Sequence, residues 1–238
     1  MRRAFATRGL LAAVGLAAGP LLADEAQVRQ LLRGRLPPAM VIESVAKSPI
    51  AGLYEVVLDG EIVYTDEKAE YFFGGNIFDI RSMPPRNLTL GRTNELLVQA
   101  LTEARDLAIK QVNGAGARLL FTFEDPNCGY CKALRRELAK LDNVTVYTFL
   151  LPILSQDSAD KALAVWCAPD RLRAWDELMS NGVVPAQARA CPNPLERIAA
   201  LARRFQISST PAIYLVDGRR IGGMRSAAEI EKALGAGR

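Results

Sequence analysis

Two cysteines separated by two residues carry the clearest chemistry in the sequence. Cys128 and Cys131 form a C-x-x-C pair between an apolar strand pattern and a helix pattern. This spacing lets the two sulfurs meet across one helical turn, and the first turn of a helix presents unpaired N–H groups that stabilise a thiolate. We therefore expect a lowered pKa for Cys128, as in cysteines that attack disulfides.

The two cysteines of the pair are expected to have different roles. Cys128, at the start of the helix, is predicted to be exposed and to act as the nucleophile. Cys131, one turn further in, is predicted to resolve the mixed disulfide. Two alternatives stay open for the pair: half of a four-cysteine zinc site, which needs a second close pair, and an inert structural disulfide.

The other two cysteines, Cys167 and Cys191, lie beside turn residues and far apart in the sequence. We interpret them as a structural disulfide that closes a loop containing two helical segments. A second redox-active pair is the alternative. Neither has another cysteine nearby, so they do not supply the close pair that a zinc site would need.

A threonine–proline pair, Thr210-Pro211, opens a late strand pattern. Proline is tolerated at the first position of a strand, where its missing N–H breaks no ladder bond. The order of strand, C-x-x-C, helix and distant Thr-Pro strand favours a second interpretation. In it, the Thr210–Pro211 bond is cis beside the cysteines, and the backbone of Thr210 pairs with an extended substrate segment.

The composition excludes several classes of protein. The sequence contains no histidine, which rules out Ser–His and Cys–His nucleophiles and histidine metal ligands. The formal net charge is +4, and Arg2, Arg3 and Arg8 supply much of it. Because no basic run follows, we predict no nucleic-acid partner. No metal and no cofactor are predicted.

Residues 1–23 are typical of a secretory signal peptide. Arginines precede a short apolar stretch, Gly9–Ala18, and Ala23 offers a small residue before an acidic pair. An uncleaved anchor is the alternative, although the stretch is short for a membrane span of about 20 residues. Arg2-Arg3 also fits a twin-arginine signal. Export would place the chain in an oxidising compartment, where disulfides persist.

The elements that must position the cysteines fall into three parts. Residues 24–85 predict a small mixed domain, with a helix over Glu25–Arg33 and a hairpin turn at Asp59-Gly60. Its strand-like runs are Val41–Ala46, Leu53–Leu58, Ile62–Thr65, Tyr71–Phe73 and Ile77–Ile80. Residues 86–112 predict a linker helix, because apolar residues recur at helical spacing up to Gln111.

The third part, residues 113–238, alternates strand and helix patterns, which predicts a layered α/β domain. Its predicted strands are Arg118–Phe123, Val144–Leu150, Ala212–Val216 and Arg219–Gly222. Its predicted helices are Cys131–Leu141, Ala159–Cys167, Leu172–Met179, Pro194–Phe205 and Ala227–Leu234.

Together these motifs resemble a known family. The C-G-Y-C run at 128–131, the Thr-Pro-Ala strand start at 210–212 and the glycine pair at 222–223 resemble the thioredoxin superfamily. The Trp-Cys dipeptide at 166–167, Cys191, the β-rich N-terminal domain and the linker helix resemble the bacterial periplasmic disulfide isomerases of the DsbC type.

The resemblance implies a fold and an activity. It implies an α+β, cystatin-like dimerisation domain joined by a helix to an α/β thioredoxin-like domain with a helical insertion. It implies a periplasmic, V-shaped homodimer with chaperone-like activity, which isomerises or reduces disulfides in misoxidised or partly unfolded exported proteins. A membrane thiol reductase of the DsbD type would keep Cys128 and Cys131 reduced.

The resemblance also implies roles for individual residues. Those implied to bind substrate are Thr210 and Pro211, as a cis-proline loop, with Gly129 and Tyr130. Cys167 and Cys191 would match the family's structural disulfide. Two alternative functions stay open: a DsbG-like reductase of sulfenylated single cysteines, and a holdase chaperone.

The segment before Cys128 is acidic, with Glu124 and Asp125. Either carboxylate is a candidate for assisting proton transfer to Cys131. The alternative is a loop carboxylate in water.

Overall fold

The computed structural model describes residues 24–186 and 191–235. The predicted signal peptide at residues 1–23 lies outside the described residues. Within these two ranges, no helix has both the length and the apolar character that a membrane span requires.

The N-terminal part is a helix packed on an antiparallel sheet. Helix α1 (Glu25–Arg35) begins at Asp24, whose carboxylate accepts a hydrogen bond from the Gln27 N–H at 2.7 Å. Four strands pair in chain order: β1 (Ile42–Lys47), β2 (Leu53–Leu58), β3 (Glu61–Asp66) and β4 (Phe72–Phe73). Val28 and Leu32 of α1 are buried in one apolar cluster with Val56 of β2.

The turn between β2 and β3 lies where the sequence predicts a hairpin. Asp59 and Gly60 have φ values of 50° and 85°, the positive values that a two-residue type I′ turn requires. A short ribbon follows, formed by β5 (Phe78–Asp79) and β6 (Arg86–Asn87).

The predicted linker helix is shorter than expected. Helix α2 (Leu88–Glu103) begins at Asn87, whose side chain accepts a hydrogen bond from the Leu90 N–H at 2.9 Å. After a single 3₁₀ turn at Arg105–Leu107, the chain forms strand β7 (Ile109–Asn113). The prediction of helix to residue 112 is therefore wrong, because β7 pairs with a strand of the second sheet instead of continuing α2.

The second sheet is mixed and carries the layered α/β architecture that the sequence predicts. Its strands are β7, β8 (Arg118–Glu124), β9 (Val144–Leu150) and β10 (Ala212–Leu215). The spatial order is β10-β8-β9-β7, with β8 and β9 parallel and the outer pairs antiparallel. The predicted strand at Arg219–Gly222 is reduced to one bridge, Tyr214 with Arg220.

Helices cover both faces of this sheet. They are α3 (Gly129–Leu138), α4 (Gln156–Trp166), α5 (Arg171–Asn181), α6 (Leu195–Arg204) and α7 (Ala227–Gly235). Phe121 and Phe123 of β8 share a cluster with α2 and α6, whereas Leu120 packs with α3 and α7. This alternation along β8 is the period of two expected for a strand between two helical layers.

The two parts of the chain touch through polar contacts. Arg204 at the end of α6 pairs with Glu43 of β1, and the Gln206 amide donates a hydrogen bond to Glu61 at 3.2 Å. Because Leu97 and Leu101 of α2 are buried beside the second sheet, the connecting helix is packed into the core of the C-terminal part.

Candidate active site

Cys128 lies at the junction of β8 and α3, where it is the N-cap residue of the helix. Its Sγ accepts a hydrogen bond from the Cys131 N–H at 3.3 Å, as a capping side chain does. Cys128 is only 6% exposed, so the expectation of an exposed sulfur is wrong. The side chain is covered because it turns back over the first turn of α3.

Cys131 is completely buried in the first turn of α3, and neither it nor Cys128 is in a disulfide. Burial raises the pKa of the Cys131 thiol, and the negative charge of Glu124 raises it further. A thiol in this environment keeps its proton at neutral pH. Its use as a nucleophile therefore requires a nearby group that takes the proton.

The Thr210–Pro211 segment lies against Cys128. The Thr210–Pro211 bond is cis, and the carbonyl oxygen of Thr210 lies 3.5 Å from Sγ of Cys128 as a hydrogen-bond acceptor. Strand β10 begins at the next residue, Ala212. On the other side of the sulfur, Gly129 and Tyr130 are exposed, with 72% of Tyr130 open to solvent.

Asp125 is completely buried and organises the loops around Cys128. One carboxylate oxygen accepts from the N–H groups of Ile153 and Leu154 at 2.8 and 3.0 Å. The other accepts from the Asn127 N–H at 2.7 Å and the Ser158 hydroxyl at 2.8 Å. Because both oxygens are occupied, the structure makes Asp125 a loop-holding residue and not a carboxylate in water.

Glu124, the last residue of β8, is also completely buried. One of its oxygens accepts a hydrogen bond from the Thr122 hydroxyl at 2.7 Å, whereas Oε2 has no hydrogen-bond partner among the described residues. Burial raises the pKa of Glu124, and the positive charge of Arg135 opposes this rise. Of the two acidic candidates, Glu124 is the one with a free oxygen and an electrostatic effect on Cys131.

A buried arginine and a half-exposed acid, Arg135 and Asp176, form an ion pair next to this region, and neither is among the residues predicted from the sequence. The side chain of Arg135 on α3 is 5% exposed, and its Nε donates to the Asp176 carboxylate of α5 at 2.6 Å. An arginine on the otherwise apolar face of α3 is a signal that could have identified Arg135. Nothing in the sequence pattern links Asp176 to it.

Replacing Glu124 by glutamine is expected to stabilise the fold, by an amount that grows with pH. The pKa of Glu124 is raised in the folded protein, so its ionisation is less favourable there than in the unfolded chain. Glu124 therefore does not lower the free energy of unfolding below about pH 4, where it is protonated in both states, but lowers it increasingly as the pH rises. Near pH 8 we expect Glu124→Gln to increase the free energy of unfolding by about 1–3 kcal/mol, the cost typical of a poorly satisfied buried polar group. Urea unfolding at pH 4 and pH 8 measures this difference.

Glu137→Gln is a matched control for that measurement. Hydrogen bonds from Lys140 and the Ala227 N–H lower the pKa of Glu137, so its replacement should destabilise the protein at neutral pH. A stability change of the same sign in both variants would contradict the buried-acid interpretation of Glu124.

Cys167 and Cys191 are bonded to each other, with their Cα atoms 5.8 Å apart. The bond joins the end of α4 to the segment before α6 and so closes the insertion that carries α5. Because these sulfurs are bonded to one another, neither is a free thiolate ligand for a zinc ion at Cys128 and Cys131. Across the described part of the chain, no three potential metal-ligating side chains are grouped together.

Two family models match the chain. One, described as a thioredoxin-like domain, matches residues 105–238, and the other, described as the N-terminal domain of disulfide bond isomerase proteins, matches residues 19–90. A mixed sheet with a C-x-x-C pair at the start of a helix is the arrangement of thiol–disulfide oxidoreductases. The fold and the site therefore define a thioredoxin-like thiol–disulfide exchange enzyme.

Individual relatives narrow this class. The probable thiol:disulfide interchange protein DsbC of Bordetella parapertussis is 41% identical over 194 residues, which cover 81% of this chain and 68% of that protein. DsbC of Escherichia coli (strain K12) is 28% identical over 241 residues, covering 98% and 96%. The chain belongs to the DsbC family of thiol:disulfide interchange proteins.

A solved structure is similar to part of the chain. The crystal structure of a disulfide interchange protein from Neisseria gonorrhoeae has a TM-score of 0.53 and 36% sequence identity, and it covers 56% of this chain and 96% of that one. The family and the fold class expected from the sequence are thus confirmed.

Proposed function

We propose that the protein is a periplasmic disulfide isomerase and reductase in which Cys128 attacks non-native disulfides of exported proteins. The observation that carries this proposal is the position of the Cys128 sulfur, between the Cys131 N–H at 3.3 Å and the carbonyl oxygen of Thr210 at 3.5 Å. The N–H stabilises negative charge on sulfur, and the nearby carbonyl belongs to a backbone segment that can pair with a substrate.

The catalytic cycle is a series of thiol–disulfide exchanges. The Cys128 thiolate attacks one sulfur of a substrate disulfide, which forms a mixed disulfide and releases the other substrate sulfur as a thiolate. If that thiolate attacks another substrate disulfide and the last exchange releases Cys128, the substrate is isomerised without net oxidation. If Cys131 attacks Cys128 instead, the substrate is reduced and the Cys128–Cys131 disulfide forms.

Glu124 is the group proposed to take the proton of Cys131 before this resolving attack. It is the nearby buried carboxyl with an unoccupied oxygen, and its charge already acts on Cys131. Asp125 holds the surrounding loops and has no oxygen free for this role.

The surface around Cys128 is proposed to bind an extended, partly unfolded substrate. Thr210 and Pro211 provide one wall, and Gly129 and Tyr130 provide the other. The loop held by Asp125 exposes Ile153 and Leu154 by 46% and 57%, which adds apolar surface suited to an unfolded segment.

Homodimerisation and chaperone-like binding are proposed for the N-terminal part, residues 24–85, with α2 as the linker and the part of the chain from β7 onward as the catalytic domain. Large apolar side chains are exposed on strands β4 and β5 and near them; these are Tyr71, Phe72, Phe73, Phe78, Ile80 and Met83. Strand β4 is at the edge of its sheet, so its backbone is free to pair with another chain. Both features fit a second copy, with a substrate-binding cleft between the two.

The proposed compartment is the periplasm, and the proposed redox partner is a reductase that keeps the cysteine pair reduced there. Residues 1–23 would direct export to the periplasm, and oxidation there would convert Cys128 and Cys131 to a disulfide. An isomerase needs Cys128 as a free thiol, so a membrane thiol reductase of the DsbD type is proposed as its electron donor.

The Cys131→Ala variant tests the proposal. Without the resolving sulfur, Cys128 should still attack a substrate disulfide, but Cys131 can no longer release it from the mixed disulfide. Incubated with scrambled ribonuclease, the variant is expected to accumulate a mixed disulfide with the substrate, visible by mass spectrometry and removed by dithiothreitol. Wild-type protein should instead restore ribonuclease activity.

Two other outcomes of this experiment would indicate a different function. Reduction of scrambled ribonuclease without recovery of its activity would make the protein a disulfide reductase and not an isomerase. Suppression of aggregation without any mixed disulfide would favour a holdase. Either result would overturn the isomerase assignment.

A further inference from the structure

Charged side chains from three different elements interact around Cys131: Arg135 pairs with Asp176, and both charges act on Glu124. Glu124 ends β8, Arg135 lies on α3, and Asp176 lies on α5 of the insertion. Arg135 follows Cys131 by four residues, so the two side chains share one face of α3. This face is buried, and the side chain of Arg135 is buried with it.

The arrangement differs from an ordinary surface ion pair in its asymmetry. The side chain of Arg135 is 5% exposed, whereas that of Asp176 is 47% exposed. The positive charge is therefore poorly screened towards the interior, where Glu124 lies, and the negative charge of Asp176 is largely solvated. As a result, the charge of Arg135 favours the carboxylate form of Glu124, and the charge of Asp176 opposes it.

We propose that the Arg135–Asp176 ion pair sets the charge state of Glu124 and thereby the pH range in which Cys131 resolves mixed disulfides. Arg135 and Asp176 are positioning residues in this scheme, since neither touches the reacting sulfurs. The proposal rests on the proposed function of Cys128 and Cys131, and it gives the disulfide-closed insertion a role in the reaction.

The resolving step moves one proton and exchanges one disulfide bond for another. The thiol proton of Cys131 passes to the Glu124 carboxylate, and the Cys131 thiolate attacks Sγ of Cys128. The new Cys128–Cys131 bond forms while the bond from Cys128 to the substrate sulfur breaks. The substrate sulfur leaves with the electron pair as a thiolate, and Glu124 later loses the proton to solvent. The enzyme dithiol is oxidised and the substrate disulfide is reduced.

The groups that surround Glu124 decide the sign of each change. Arg135 of α3 lowers its pKa, and Asp176 of α5 raises it. Hydroxyls of Thr122 on β8 and Thr148 on β9 also lower it by hydrogen bonding. Cys131 of α3 is coupled to the same charge. Removing Arg135 should therefore move the titration of Glu124 to higher pH, and removing the charge of Asp176 should move it to lower pH.

Infrared spectroscopy of the reduced full-length protein reads this titration directly. The C=O band of the protonated carboxyl is followed against pH and assigned by its absence in Glu124→Gln. We expect Arg135→Met to raise the midpoint by about 1 pH unit or more, the usual effect of losing an adjacent opposite charge. Asp176→Asn should lower it by a smaller amount, and Arg135→Lys should keep it near the wild-type value.

Rapid-quench kinetics with oxidised glutathione provides the second readout. Glutathione released when Cys131 resolves the mixed disulfide is measured against pH in the same variants. Below the wild-type midpoint, Arg135→Met should resolve about tenfold more slowly for each unit by which the midpoint rises. The inflection of the Asp176→Asn profile should move in the opposite direction.

The outcomes separate this inference from the proposed function. Absence of any glutathione adduct on Cys128 in wild-type protein would refute the exchange function itself. Normal adduct formation and resolution, with both midpoints unmoved or moved in the same direction, would overturn only the role of the ion pair. Asp176→Asn alters a half-exposed side chain, so the test holds even if Arg135→Met does not fold.

Discussion

Replacing Cys128 by alanine is expected to abolish thiol–disulfide exchange completely. Its sulfur is the one that lies beside Thr210, at the point where Gly129 and Tyr130 reach the surface. Cys131 is completely buried with a raised pKa, so it cannot take over the attack. Reactivation of scrambled ribonuclease and reduction of insulin by dithiothreitol both measure this loss.

Cys131→Ala is the matched comparison for that variant, because it removes a sulfur three residues away and keeps the attacking one. Mixed disulfides should form with Cys131→Ala and be absent with Cys128→Ala. Full isomerase activity in Cys128→Ala would exclude Cys128 as the nucleophile.

Removing the Cys167–Cys191 bond is expected to lower the free energy of unfolding more than any of the single substitutions described above. The bond joins residues 24 positions apart. Cross-linking a loop of this size lowers the entropy of the unfolded chain and so stabilises the folded protein by about 3 kcal/mol. The double variant Cys167→Ala/Cys191→Ala should lose about that free energy of unfolding in urea. Wild-type protein unfolded in a reductant should show the same loss.

The same double variant separates a structural disulfide from a second redox pair. If the bond is structural, the folded variant should still exchange disulfides through Cys128 at conditions well below its unfolding midpoint. Loss of exchange in protein that is shown to be folded would instead assign a redox role to Cys167 and Cys191.

The sequence predicts most of the fold because its local signals agree with the tertiary structure. Asp59-Gly60 can adopt the positive φ angles of a tight hairpin, and alternation of patterns over residues 113–238 gives the α/β layers. Strand β7 could not be predicted, because its polar Gln111 and Asn113 are partly buried while Val112 is exposed. Such a strand is defined by its pairing with β9 and not by its own composition.

The candidate site divides in a similar way. Local spacing predicts the cysteine pair as the site, and the structure places the Thr210 carbonyl beside Cys128, as the order of the elements indicates. The burial of Cys128 depends on how its side chain caps α3, which spacing does not show. The pairing of Arg135 with Asp176 joins residues 41 positions apart and depends on how α5 packs on α3.

Equilibration of the purified protein in glutathione redox buffers, followed by alkylation and mass spectrometry, tests whether Cys128 and Cys131 form a redox-active pair. We expect the two cysteines to interconvert reversibly between two thiols and one disulfide, with a glutathione adduct on Cys128 as the intermediate and with Cys167–Cys191 unchanged. Thiols at Cys128 and Cys131 that persist at every glutathione ratio, or an adduct formed first on Cys131, would contradict this expectation.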